Sequence, residues 1–322
     1  MSQKYVLAVD GGGSKTKTIA ANFDGQIIGE GLSGPTSLAT TTIGAASFNL
    51  KESVRQALEN ISPGHEGEIE IGSLVMGLAG MDTPHEYQQA KQIFEEVLDN
   101  FKINNFFLVN DSQIALRSGT DQQDAVVIIA GTGSICYGRN SRGEEARTGG
   151  MDQLLTDQGS GYMIGRQVLR DAVKSFDGRR PKSILEDLVS AHFGISSIAD
   201  LKEKVYNPDL TKTEVAALAI EGLQALEKGD ELARAIFDHA KDSLVVMAQT
   251  VIKRLGIQQT PVDCVMTGRI MSIPYIHDHF IAKMNEFHPQ LNIIQPHQEP
   301  VFGALKMALE LKEFRNLVSP GN

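Results

Sequence analysis

The sequence predicts an α/β protein built from two halves that begin alike. Three observations carry this. Strand-like and helix-like segments alternate along the chain. A plan of strand, glycine turn, strand, turn, strand occurs near the start and again after residue 124. Of the 31 glycines, 22 lie at or before Gly161 and 9 after it, so tight turns crowd the front half.

In chain order, residues 5–10 (YVLAVD) are an apolar run of strand formers, broken by Gly11-Gly12-Gly13. Residues 15–22 alternate and carry β-branched side chains, which predicts a second strand. Asp24-Gly25 is a hairpin turn signal, and 26–31 return as a third strand. Residues 43–58 have helical spacing. Residues 69–76 form a strand ending at Gly77. Pro84 opens a helix to about Leu98, since proline suits a first helical turn. Residues 105–110 form a strand, and Asp111 begins a helix to Ser118.

The plan then restarts. Residues 125–130 are an apolar strand broken by Gly131-Thr132-Gly133-Ser134; 135–140 and 145–148 follow as strands around the Arg142-Gly143 turn. From 162 to 255 the pattern is almost wholly helical, with helices at 162–176, 183–192, 213–228 and 231–255. A strand at 262–267, a helix at 274–287, a strand at 291–294 and a last helix at 301–313 complete the chain. The boundary between halves falls at 118–124.

The 322 residues suffice for two ordinary domains with ample core. A net charge of -10 argues against a nucleic-acid binder, because phosphate backbones recruit basic patches. Cys136 and Cys264 are too few for a disulfide framework or a four-ligand metal site. The late histidines His277, His279, His288 and His297 lack a metal-site spacing. No run approaches bilayer-spanning length and no signal-peptide pattern precedes the first strand, so a cytoplasmic protein without a membrane partner is expected.

The sharpest local motif is Asp10-Gly11-Gly12-Gly13-Ser14-Lys15-Thr16. Glycines let backbone N–H groups approach a phosphate, and Ser14, Lys15 and Thr16 add donors. The spacing is neither a Walker A loop nor a dinucleotide fingerprint, and the alternative is a plain hairpin whose glycines take positive φ. Ala130 to Ser134 is a second such loop; two glycine hairpins could clamp a nucleotide. Asp111, after a strand and before a helix, reads either as an N-cap or as a general base at the carboxyl end of a sheet. Asp157, ahead of another helix, reads either as a cap or as a carboxylate gripping sugar hydroxyls, with Gly149-Gly150 nearby. Asp82, in the Gly77 to Asp82 loop, is a further substrate candidate. Thr267-Gly268 could form a backbone platform for a purine. The lone G-x-G-x-x-G match, Gly29 to Gly34, runs into Pro35 and carries no function.

In this order, VDGGGSKTKT (9–18), GLAGMD (77–82), VNDSQIAL (109–116), IAGTGSI (129–135), GGMDQLLTDQGSGYMIG (149–165) and MTGRI (266–270) resemble the BadF/BadG/BcrA/BcrD ATPase family, and within it the N-acetylglucosamine kinases of the sugar kinase/Hsp70/actin superfamily. The resemblance covers nearly the whole chain. It implies two ribonuclease H-like, actin-like ATPase domains around a central cleft: residues 1–118, and 119–322 with a helical insertion over about 162–255 and a last helix packing back on the first domain. It implies ATP and Mg²⁺ as cofactors, a small sugar as substrate and a homodimer. Asp10 would hold Mg²⁺ through water. Gly12, Gly13, Ser14, Lys15 and Thr16 would meet the γ- and β-phosphates; Gly131, Thr132 and Gly133 the second phosphate site; Thr267 and Gly268 the adenosine. Asp111 would deprotonate the sugar 6-hydroxyl, with Asp82, Thr132, Gly150 and Asp157 contacting the sugar.

The chain departs from the kinases' pattern where it has Gly34-Pro35-Thr36-Ser37 in a loop that often carries Asn, Ile135 where Asn often follows the GTGS turn, Gly150-Met151 for Gly-Trp, and Asp157-Gln158 for Asp-Glu. These positions bear on the choice of sugar. Two rival functions come from the same superfamily. An activator of a radical dehydratase or reductase would bind an iron–sulfur cluster through cysteine, yet Cys136 and Cys264 lie inside a hairpin and a strand rather than in a Cys-rich loop. A non-catalytic, DNA-binding sugar sensor would carry an N-terminal helix-turn-helix where this chain has its first strand.

Overall fold

The computed structural model describes residues 5–64 and 68–317. The chain falls into two compact units, one made of the residues up to Asp121 and those from Gln295 onward, the other of Gln122–Ile294.

The first unit holds a six-stranded mixed sheet. Its strands are β1 (Tyr5–Gly11), β2 (Thr16–Asn22), β3 (Ile27–Ser33), β4 (Glu70–Leu78), the two-residue β5 (Lys102–Ile103) and β6 (Phe106–Asn110). The order is β3-β2-β1-β4-β5, with β6 also paired to β4. The first three strands are antiparallel, whereas β1, β4 and β6 run parallel. Helices α1 (Ile43–Glu59), α2 (Pro84–Leu98), α3 (Asp111–Gly119) and a closing helix, Pro300–Leu317, cover it.

Strand alternation explains the two layers of cover. On β1, Leu7 and Val9 join a core with Leu50, Val54 and Phe94 of α1 and α2. Val6 and Ala8 point the other way, into a core with Ile114 of α3 and Val301, Ala304 and Ala308 of the closing helix. The buried Ser73 hydroxyl donates to the Ala308 carbonyl at 2.8 Å. The Gly29 to Gly34 match has a packing explanation: a Cβ on Gly29 or Gly31 would lie 2.0 Å from the Ala57 oxygen or 1.8 Å from that of Ser53, so α1 rests directly on β3.

The second unit repeats the sheet plan. Its strands β7 (Ala125–Ala130), β8 (Ser134–Arg139) and β9 (Glu145–Gly149) are antiparallel, and β10 (Val262–Thr267) and β11 (Leu291–Ile294) extend the sheet in parallel, in the order β11-β10-β7-β8-β9. Its helices are α4 (Asp152–Leu155), α5 (Gly161–Phe176), α6 (Leu185–Phe193), α7 (Leu201–Tyr206), α8 (Lys212–Ala217), α9 (Ala219–Glu227), α10 (Glu231–Leu255) and α11 (Pro274–Phe287). The core gathers Val126, Ile128, Val168, Phe237, Leu244 and Phe280.

The expected single helix at 213–228 is two. The Leu218 N–H donates to the Val215 carbonyl, a tight three-residue turn that separates α8 from α9. The break turns the Val215 carbonyl onto α5, where only a glycine fits: a Cβ on Gly165 would stand 1.8 Å from it. Among the described residues no helix is long and apolar enough to cross a membrane.

Candidate active site

In the first unit, three carboxylates gather at the carboxyl ends of parallel strands, where open α/β sheets place ligands. Asp10 stands opposite Gly77 on β4, and Gly77 opposite Val109 on β6. Asp111 follows one residue beyond β6, and Asp82 lies in the loop after β4. Gly77 makes the crossing possible, because a Cβ there would meet Ile114 at 2.3 Å.

Asp111 does not cap its helix. Asn110 does, its Oδ1 accepting from the Ser112 N–H at 3.0 Å and the Ser112 hydroxyl at 2.6 Å. Asp111 begins α3, and the backbone N–H groups of Ser112 and of Asp111 itself reach its carboxyl and oppose the rise in its pKa. Burial raises its pKa from 3.8 to about 7, and the charges of Asp10 and Asp82 push in the same direction. Asp10 rises to about 6, chiefly through burial, with Lys15 and Lys17 opposing and Glu299 assisting. Two acids perturbed towards neutrality at strand ends make this a candidate site for proton chemistry.

The first glycine loop is not a positive-φ hairpin. None of Gly11, Gly12 and Gly13 is left-handed. The constraint is crowding, since a Cβ on Gly11 would lie 2.5 Å from Thr36 Oγ1. The Gly12 N–H closes the turn on the Lys15 carbonyl at 2.9 Å, and the Gly12 carbonyl accepts from Thr36 and Ser37. Gly13, Ser14 and Lys15 are exposed, and Lys15 and Lys17 both pair with Glu299, at 3.3 and 2.5 Å.

Thr16 opens β2. Its side chain is fully buried, with its hydroxyl bonded to the Gly34 carbonyl at 2.7 Å and to Thr36 at 3.0 Å. Strand alternation turns this side chain inward, towards Gly34 and Thr36.

In the second unit, the Gly131 N–H closes on the Gly133 carbonyl, and the carbonyls of Gly131 and Thr132 accept from Gly161 and Tyr162 at the start of α5. Gly149 and Gly150 take left-handed φ of 74° and 67°. Ile135 packs against them, its Cδ1 standing 2.6 Å from where Gly150 would carry a Cβ. Gly268 has φ 101°, and its Cβ would lie 2.2 Å from the Ala130 carbonyl, which also accepts from the Ile270 N–H. The Thr267 to Ile270 turn is thereby stitched to the end of β7.

Asp157 also fails to cap a helix. Ser160 caps α5, accepting from Met163 at 3.2 Å. Asp157 is buried and pairs with Lys212 Nζ at 2.9 Å. Lys212 escaped the sequence reading, because it lies 55 residues away, just ahead of the stretch read as a helix at 213–228. Cys136 and Cys264 are fully buried, and burial raises both thiols, Cys264 to about 12. Such thiols are poor cluster ligands.

Strand-end carboxylates, paired glycine hairpins and repeated mixed sheets together define a phosphoryl-transfer ATPase fold. Residues 7–308 match the model of the BadF/BadG/BcrA/BcrD ATPase family, and the chain belongs to that family. It is 33% identical over 307 residues to the N-acetylmuramic acid/N-acetylglucosamine kinase of Clostridium acetobutylicum, covering 95% of this chain and 98% of that protein. It is 30% identical over 321 residues to the N-acetyl-D-glucosamine kinase of Dictyostelium discoideum, covering 97% and 100%. Among solved structures, a candidate N-acetylglucosamine kinase from Chromobacterium violaceum superposes with TM-score 0.73 at 22% identity, covering 96% of this chain and 99% of that one. The ROK family glucokinase of Streptomyces griseus superposes with TM-score 0.56 at 15% identity, covering 95% and 99%. Those two likenesses establish a sugar-kinase fold.

Proposed function

We propose that this chain is an ATP-dependent kinase that transfers the γ-phosphate to the 6-hydroxyl of an amino sugar, N-acetylglucosamine or glucosamine. Two of its kinase relatives, each covered almost end to end, support the substrate class. The observation that carries the chemistry is Asp111, a carboxylate with a pKa of about 7 among the charges of Asp10 and Asp82. A base poised near neutrality can take a hydroxyl proton as the oxygen attacks phosphorus. Such transfer needs little covalent help from the protein; position and charge suffice.

In the first unit, the exposed turn at Gly13, Ser14 and Lys15, with Gly12 shaping it, would receive the γ- and β-phosphates. Asp82 would orient the sugar. In the second unit, Gly131 to Gly133 would take the second phosphate site, Thr267 and Gly268 the adenosine, and Thr132, Gly150 and Asp157 the sugar. Among the described residues no group of three acidic, imidazole or thiol ligands could hold a metal ion by itself, so a cation beside Asp10 would be met through water. Mg²⁺ held by Asp10 through water would neutralise charge on the β- and γ-phosphate oxygens. Each unit is read as one ribonuclease H-like domain, the second carrying the helices from Gly161 to Leu255 as an insertion, in a cytoplasmic homodimer.

Coupled ADP-release assays with glucosamine, N-acetylglucosamine, N-acetylmuramic acid, N-acetylmannosamine and glucose test this. ADP release should depend on an amino sugar and on Mg²⁺. Release indifferent to every sugar would overturn the assignment.

A further inference from the structure

Among the described residues, two that are not glycine adopt left-handed φ, Asp152 at 68° and Asp157 at 67°. They bracket one six-residue segment that contains α4. Left-handed backbone is costly for a side chain with a Cβ and persists only where surroundings impose it. One cation engages both ends. Lys212 Nζ lies 2.5 Å from Asp152 Oδ1 and 2.9 Å from Asp157 Oδ2. Lys212 is itself anchored. It opens α8 directly after Thr211, whose hydroxyl accepts from the Glu214 N–H while Glu214 accepts from the Thr211 N–H, a reciprocal cap.

The pair faces the second glycine turn. A Cβ on Gly133 would stand 2.9 Å from Asp157 Oδ2 and 3.5 Å from Lys212 Nζ. The Asp157 side chain is 3% exposed and that of Lys212 32%, so this ion pair is shielded at its carboxylate end. Asp152 is 68% exposed and contributes less. Lys212 engages Asp157 through Oδ2, the oxygen that also lies against the Gly133 turn. An exposed tether would only join two loops. A buried one that fixes the rotation of a carboxylate decides where that carboxylate can accept a hydrogen bond.

We propose that Lys212 is a positioning residue for the acceptor sugar: it clamps the 152–157 segment against the Gly131–Gly133 turn and so holds the Asp157 carboxylate in the orientation that receives sugar hydroxyls. The inference rests on the kinase reading above, in which Asp157 contacts the sugar.

Two measurements test it on the full chain. In steady-state kinetics, Lys212→Met should raise the amino-sugar KM by about tenfold or more, the effect of losing one hydrogen bond to a charged group, while the ATP KM moves less than about twofold. Lys212→Arg should restore most of the affinity, because it keeps the cation. An unchanged sugar KM, or sugar and ATP KM rising together, overturns the proposal. Lys212→Gln serves in place of Met should that variant misfold. Amide hydrogen exchange without ligand gives an independent readout. The N–H groups of Met151, Thr156 and Ser160, which bond Thr156 Oγ1 and the carbonyls of Asp152 and Asp157, should exchange faster in the Met or Gln variant while the core strands do not. Unchanged exchange there overturns the clamp. A wild-type protein that phosphorylates no amino sugar would overturn the functional reading instead, and the exchange comparison would still decide the clamp.

Discussion

Asn110 caps the helix that Asp111 begins, accepting the Ser112 N–H at 3.0 Å while its own Nδ2 donates to the Met81 carbonyl at 3.1 Å. One side chain thus fixes the backbone of Asp111, the proposed base, and tethers the loop that leads to Asp82. Asn110→Ala should cost about 1–2 kcal/mol, the usual value of a lost helix cap plus a buried hydrogen bond. It should also lower kcat, because two site carboxylates lose their common anchor. Urea midpoints and turnover measured side by side check this; an unchanged midpoint would mean that the cap contributes nothing.

The raised pKa of Asp111 makes stability and activity respond to pH in opposite directions. Its ordinary value is 3.8 and its folded value about 7. The folded state therefore binds this proton more tightly, and stability is lost as pH rises between those values. Asp111→Asn removes the buried charge, so at about pH 8 the variant should be more stable than wild type by at least about 1 kcal/mol. That gain should vanish below about pH 4, where wild-type Asp111 is protonated whether folded or not. Turnover needs the ionised base, so kcat/KM should fall as pH drops below about 7, and the Asn variant should lose turnover yet still bind ATP. Full activity in Asp111→Asn would sink the assignment of the base.

Glycine substitutions should differ by what a Cβ meets. Gly268→Ala combines φ 101° with a 2.2 Å approach to the Ala130 carbonyl and should cost about 3 kcal/mol or more. At Gly133 the obstacle is the Lys212-held Asp157 carboxylate at 2.9 Å, so Gly133→Ala should spare much of the stability and impair turnover. At Gly12 the nearest atom is the Lys15 carbonyl at 3.1 Å, which predicts the mildest loss of the three. Thermal melts with kinetics on all three variants give the ranking.

Cys136 and Cys264 should resist iodoacetamide in the native protein at about pH 7.5 and react after unfolding, because both are buried with raised thiol pKa values. Rapid native labelling of Cys136 would reopen the case for a cysteine-ligated cluster.

Much of this architecture was legible in the chain because it is written in short-range terms. Residues 125–130, 231–255 and 274–287 were bounded as strand, helix and helix by periodicity and by Gly or Pro alone, and the structure has the same bounds. Elements too short to repeat their pattern twice, β5, α4 and α7, were not. The break at Leu218 was hidden too, since no Gly or Pro marks it and the packing of the Val215 carbonyl on Gly165 joins residues far apart in the chain.

By itself the sequence determined the repeated sheet plan, the glycine turns and the acidic residues at strand ends, because strand period, turn chemistry and strand-terminal position are local properties. Tertiary structure decided what those residues can do. It gave the capping task to Asn110 and Ser160 rather than to Asp111 and Asp157. It buried the Thr16 hydroxyl, raised Asp111 to about 7 and brought Lys212 to Asp157. Desolvation and charge pairing depend on neighbours distant in sequence, and no local pattern along the chain encodes which ones will meet.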